Sequence, residues 1–119
     1  MLSKAHENDC NVEPGIRISV EFMSVQGGLD ALFDNVRHLD LCLPATDQAG
    51  NAVTAGWLVN HLGDKALNAS NRKMFVLDGH IRPGIMVIIN DADWELFGSE
   101  TYQLQQSDLV LFVSTLHGG

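Results

Sequence analysis

A chain of 119 residues, 45% of them apolar, has room for one packed core, and no second domain is expected. Acidic residues number 15 against 7 basic ones, a formal charge of −8 spread along the chain. That charge repels phosphate backbones, and the scattered Lys and Arg give no basic patch, so nucleic acid is not expected as a direct partner. No apolar run reaches the ~18 residues a bilayer demands, and Met1 to Glu7 lacks the apolar segment of a signal peptide, so a soluble, cytoplasmic protein is expected. The cysteines, Cys10 and Cys42, are too few for a disulfide framework or a four-thiolate cluster and read as free thiols.

Residues 1–14 are polar, carry Asn8, Asp9 and Asn11, and end at the turn signal Pro14-Gly15; they read as a flexible arm. Strict alternation follows, with Ile16, Ile18, Val20 and Phe22 on one face and Arg17, Ser19 and Glu21 on the other, which predicts a half-buried strand. Beyond Gly27-Gly28, the segment Leu29 to Phe33 gives no clear period. A second alternation sets Leu39, Leu41 and Leu43 against His38, Asp40 and Cys42 and stops at Pro44, so the two strands are expected to pair as a hairpin.

After a polar stretch, Thr54 is an expected N-cap for a helix reaching about Leu67, with Leu58, Val59, Leu62 and Ala66 on its apolar stripe. Gly63 interrupts it at a cost of about 1 kcal/mol relative to alanine. Met74 to Leu77 predicts a short strand before the Asp78-Gly79 turn. Ile85 to Ile89 is apolar on both faces, as an interior strand is. Asn90 to Asp93 turns the chain into Trp94-Glu95-Leu96-Phe97, and Thr101 to Gln105 is expected as a short helical turn before the last strand, Leu109 to Ser114.

The order of these elements is ββαβ(β)β, an α+β arrangement with a mixed sheet of four to five strands on one main helix, and the hairpin, helix and final central strand suggest a ubiquitin-like β-grasp. The domain is expected over residues 15–114, between the arm and a C-terminal tail, residues 115–119. Strand interiors disfavour glycine, so Gly118-Gly119 does not stabilise a fold. It gives a slim carboxylate with no Cβ to block a nucleophile or a narrow channel, on a tether of roughly 15 Å when extended. Chemistry on the C-terminal carboxyl is the use this pattern points to.

Three segments, Arg82-Pro83-Gly84-Ile85, Ile89-Asn90-Asp91-Ala92-Asp93-Trp94-Glu95-Leu96 and Leu111 to Gly119, resemble in order and spacing the ubiquitin-related modifier family, the eukaryotic sulfur carrier that is also a protein modifier. The resemblance runs from about Arg82 to the end; the first strand and the helix agree more loosely. It implies that Gly119 is adenylated by an ATP-using activating enzyme and converted to a thiocarboxylate by a sulfurtransferase domain. It implies delivery of the sulfur to the wobble uridine of certain tRNAs through separate thiolation enzymes, and attachment to target lysines. The chain would then be a monomeric protein cosubstrate that binds no cofactor, ATP being consumed by its activating enzyme. Divergence over Asn35 to Lys73 leaves partner details on the helix side open.

Roles follow by position. Gly119 carries the reacting carboxyl, and Gly118 supplies slimness. His117 and Leu116 are assigned to tail recognition, with a passive solvated histidine as the alternative for His117. In the last strand, Leu111 and Val113 are expected outward as partner contacts and Val110 and Phe112 inward; Trp94 either joins that contact surface or anchors the hairpin. Asp91, Asp93 and Glu95 alternate, but a turn using its own side chains accounts for them better than a metal site. The histidines and cysteines lack zinc-ligand spacing. Lys4, Lys65 and Lys73 are the available isopeptide acceptors. Two other functions fit the Gly-Gly ending: a sulfur carrier for thiamine or molybdopterin synthesis, disfavoured by Asp93-Trp94-Glu95-Leu96 and Leu116-His117, and a ubiquitin-like interaction domain whose glycines never react.

Overall fold

The computed structural model describes residues 15–24 and 28–114; the expected arm and tail lie outside them. In chain order the elements are β1 (Gly15–Ser24), a 3-10 turn (Asp30–Phe33), β2 (His38–Pro44), α1 (Ala55–Gly63), α2 (Ala69–Lys73), β3 (Val76–Leu77) and β4 (His80–Ile81). After these come β5 (Ile85–Ile89), β6 (Ala92–Asp93), two 3-10 turns (Trp94–Phe97 and Ser99–Thr101) and β7 (Leu109–Ser114).

The alternation in the first two strands does what it predicts. β1 and β2 pair antiparallel from Gly15↔Pro44 to Glu21↔His38, with Ile18, Val20, Phe22, Leu41 and Leu43 buried. β7 then lies parallel to β1 and antiparallel to β5, giving a five-stranded mixed sheet in the order β2-β1-β7-β5-β6. The last strand of the sequence is thus the middle strand of the sheet, as a β-grasp requires. β3 and β4 form a separate two-stranded ribbon.

α1 covers the inner face of the sheet with Leu58, Val59 and Leu62, all buried. Its start is set by Thr54, whose Oγ1 accepts from Trp57 N at 3.1 Å and satisfies one of the orphan amides of the first turn. Four phenylalanines fill the space between layers. Phe22 stacks on Phe33 with centroids 4.4 Å apart, and Phe75 meets Phe33 and Phe112 edge-on at 5.1 and 5.2 Å. Each such pair contributes about 0.5–1.5 kcal/mol beyond its area.

The helix stops earlier than its periodicity predicts, at Gly63 rather than about Leu67. The cause is packing. A Cβ on Gly63 would stand 2.7 Å from Val76 Cγ2, so the glycine is where β3 presses against the helix. The chain turns there, Ala66 packs at the margin of the core, and Asn68 caps α2 by accepting from Asn71 N at 2.8 Å. The turn expected over Thr101–Gln105 lies instead at Ser99–Thr101. Tyr102 to Leu104 is extended because it bonds the strip before α1, with Ala55 N donating to Tyr102 O at 2.8 Å and Leu104 N to Val53 O at 3.0 Å.

Cys42, expected as a free thiol, is disulfide-bonded. Its side chain leaves the sheet on the face away from the core, where a second sulfur can reach it; Cys10 lies outside the described residues. No helix among the described residues is long and apolar enough to cross a membrane.

Candidate functional site

β7 alternates without exception. Val110 and Phe112 are fully buried beneath α1, while Leu109, Leu111 and Val113 are partly exposed on the opposite face of the sheet. The expected outward pair, Leu111 and Val113, is therefore where the alternation puts it. Register supplies their neighbours: Val113 lies opposite Met23 of β1 and Met86 of β5, and Leu111 lies beside Ile88. Met23 and Met86 are 54% and 44% exposed. Together these side chains make an exposed apolar patch across three adjacent strands, two of its members being adaptable methionines.

Trp94 does not belong to it. The indole is only 8% exposed and sits in the core, so the hairpin-anchor reading holds and the contact reading is corrected. An aromatic ring this large is held inside by the turn geometry around it: Asn90 and Asp91 take positive φ, and Asp93 accepts from Glu95 N at 2.9 Å, capping the 3-10 turn that begins at Trp94. That bond also gives the Asp93 carboxylate a local task in the turn. Met23, Met86 and Ile88, rather than Trp94, flank Leu111 and Val113 on the outer face. Their signal was present in sequence as the outward phase of two apolar strands, but cross-strand register was needed to bring them together.

The patch borders the point where the chain leaves the sheet. Ser114, the last residue of β7, pairs with Ile85, the first of β5. Leu116, His117, Gly118 and Gly119 follow outside the described residues, so their roles are taken up below as proposals.

Beside the apolar patch on the same face lies a polar group. His38 is flanked by Glu21 Oε2 at 3.2 Å and Asp40 Oδ1 at 3.0 Å, and Ser19 Oγ donates to Asp40 at 2.9 Å. Partial burial works against the charged imidazole, but bonds to Asp40 and Glu21 outweigh it and raise the His38 pKa above its ordinary value. Asp40 is lowered, by Ser19 first and His38 second. His61, stacked on Trp57 at 4.7 Å, shifts the other way, because burial and then the Lys65 charge disfavour its protonation.

Of the six described basic residues, Arg17 lies on β1 and Arg37 just before β2, while the other four fall between residues 65 and 82. Arg72, Lys73 and Arg82 come together around α2 and the β3–β4 ribbon, where Arg82 Nη1 donates to Lys73 O at 3.0 Å and Arg72 Nε to Asp64 at 3.3 Å, while Lys65 follows in the turn after α1. Backbone pairing of Arg82 N with Phe75 O brings Arg82 beside Lys73, nine residues earlier in the chain.

The ubiquitin-related modifier family model matches residues 17–119, nearly the whole chain. The chain belongs to the ubiquitin-related modifier family. Ubiquitin-related modifier 1 of Sclerotinia sclerotiorum is 54% identical over 104 residues, covering 87% of this chain and 95% of that protein. The Chaetomium thermophilum protein of the same name is 52% identical over 104 residues, covering 87% and 92%. Among solved structures, that of Urm1 from Trypanosoma brucei superposes with a TM-score of 0.64 at 32% identity, covering 89% of this chain and 98% of that one. For a ubiquitin-related modifier the β-grasp is the expected scaffold, and membership marks a small protein modifier rather than a catalyst.

Proposed function

We propose that this ubiquitin-related modifier is a sulfur carrier whose Gly119 carboxyl is adenylated and then thiocarboxylated, supplying sulfur for 2-thiolation of tRNA wobble uridine, and that it is also conjugated to target lysines. The observation that carries this reading is the patch of Leu111, Val113, Met23 and Met86, displayed at the end of the strand from which the C-terminal residues continue. A carboxylate is a poor acyl donor because its leaving group would be oxide. Joining Gly119 to AMP, with release of pyrophosphate, supplies a good leaving group; the outer sulfur of an enzyme persulfide expels AMP to give an acyl disulfide, and an enzyme thiol then cleaves its S–S bond, leaving the thiocarboxylate on Gly119 and a disulfide on the enzyme. This protein's part is presentation: the patch docks on the activating enzyme, while Leu116, His117 and Gly118 lead Gly119 into its narrow site. ATP is bound and consumed by that enzyme. Thiolation enzymes hold the tRNA, which agrees with a total charge of −8 on the carrier. The setting is the cytoplasm, and the carrier acts as a monomer.

The test is the C-terminal peptide after incubation with ATP, the activating enzyme and a sulfur donor. A thiol-reactive tag is expected on Gly119 itself. Whole-protein mass does not serve, because sulfur for oxygen adds nearly the same mass as one methionine oxidation, and the chain has 4 methionines. Adenylate without any tag would leave a modifier that carries no sulfur. Deleting Gly119 separates the rival: a non-reacting interaction domain keeps its cellular role, whereas a carrier loses all thiolated tRNA.

A further inference from the structure

Lys65, Arg72, Lys73 and Arg82 lie within residues 64–82, where only Asp64 and Asp78 oppose them. That stretch has a net charge of +2 in a chain of −8, so the remainder holds −10. Arg72 is tied to Asp64. Among the described residues Lys65, Lys73 and Arg82 have no carboxylate partner, and between them Met74 and Leu77 are 41% and 44% exposed. Cations interleaved with exposed apolar side chains form a mixed surface on the helix side of the molecule, away from the Leu111–Val113 patch.

Its position matters as much as its charge. Ile85 N donates to Arg82 O at 3.2 Å, and Ile85 is the residue paired with Ser114. Arg82 therefore stands one turn of chain from the exit of the C-terminal segment. The apolar patch approaches that exit along one face of the sheet, and the basic corner approaches it from the β4 side.

We propose that this basic corner is a second docking surface for the protein that acts on Gly119, and that its occupant is an acidic segment of that enzyme with an apolar side chain seated on Met74 and Leu77. The proposal rests on the carrier function inferred above. Charge complementarity selects an acidic protein segment: the corner is the positive part of a strongly negative molecule, so it fixes which way round an acidic partner can approach. A polynucleotide fits less well. It would meet three unpaired cations against the repulsion of the remaining −10, and Met74 and Leu77 add nothing to a phosphate backbone.

The experiment measures adenylate formation by the activating enzyme of the same organism on the full chain, at low and high salt. Lys73→Glu with Arg82→Glu is expected to raise KM about tenfold with kcat within about twofold, and to abolish the salt dependence of the wild-type KM. Lys65→Glu with Lys73→Glu, which removes no described hydrogen bond, is expected to act the same way with an unchanged melting temperature. Arg82→Lys, keeping the charge, stays close to wild type. Wild-type adenylation with an unchanged KM in both double variants overturns this inference and leaves the carrier reading standing. Absence of adenylation in the wild type overturns that reading and, with it, the occupant named here. Salt-sensitive binding of purified tRNA that the variants lose, without any change in KM, would make the occupant nucleic acid and likewise overturn the proposal.

Discussion

Asn90 and Asp108 clasp each other across the start of the central strand: Asn90 Nδ2 donates to Asp108 Oδ1 at 2.8 Å, and Leu109 N returns a bond to Asn90 Oδ1 at 2.9 Å. Asp108, only 4% exposed, also accepts from Tyr102 OH and from Gln105 N, both at 2.8 Å on Oδ2. Asp108→Ala strands these donors and is expected to lower unfolding free energy by about 2–3 kcal/mol, with Tyr102→Phe costing about 1. Urea titration of the two variants measures this, and equal losses would show that the carboxylate does not organise the group. The chain has a single tyrosine, so its ultraviolet titration is read without interference. Burial first and Asp108 second push Tyr102 up to about 12; Asp108→Asn should bring it part of the way back, since burial remains.

The alternation of β7 separates folding from function. Phe112→Ala opens a cavity at the centre of the phenylalanine cluster and is expected to cost about 3–5 kcal/mol. Leu111→Ser, on the outer face, should cost less than about 1 kcal/mol while weakening activating-enzyme binding. A Leu111 variant as unstable as the Phe112 variant would reverse the inside and outside of the sheet.

Gly63→Ala tests a contact against a propensity. Alanine is favoured over glycine in a helix by about 1 kcal/mol, yet the new methyl would meet Val76 Cγ2 at 2.7 Å, and overpacking of this kind costs about 1–3 kcal/mol. The steric effect is expected to win, giving a lower thermal midpoint. A rise in midpoint would mean that the β3 ribbon yields freely.

His38 and His61 should titrate on opposite sides of the ordinary 6.5, His38 above and His61 below, and imidazole proton shifts in NMR resolve them. The consequences for stability have opposite signs. His38 binds its proton more tightly folded than unfolded, so its contribution is complete below 6.5 and fades as pH rises through its folded pKa. His61 binds its proton less tightly when folded, so its contribution is present above 6.5 and is lost as pH falls through its folded pKa. Changing His38 to Gln should leave only the second trend; persistence of the first would assign it elsewhere.

Much of the architecture could be read from period alone. Ile16 to Phe22 and Leu39 to Leu43 alternate because one face of each strand is buried, and β7 is apolar on both faces because one lies on the core and the other joins the outer apolar patch between β1 and β5. What sequence could not decide depended on residues far apart in the chain. Trp94 is apolar enough for either a core or a contact surface, and only the Asn90–Asp93 turn settles its direction. Gly63 looks like a defect until Val76 is placed against it. Met23 and Met86 become neighbours only through register on either side of Val113. The basic corner was invisible as spacing, since Arg72 and Arg82 are joined by the fold of the β3–β4 ribbon rather than by a helical or strand period.

The parallel pairing of β1 with β7 makes the native sheet a late event in the life of each molecule. Until synthesis has reached Ser114, β1 and β5 have no strand between them, the phenylalanine cluster lacks Phe112, and long-range closure has nothing to reward it. A chain broken off short of this strand cannot assemble the outer patch, because Leu111 and Val113 are its centre. Foldedness thus acts as a proofreading mark: anything that recognises the assembled sheet selects chains made at least as far as Ser114.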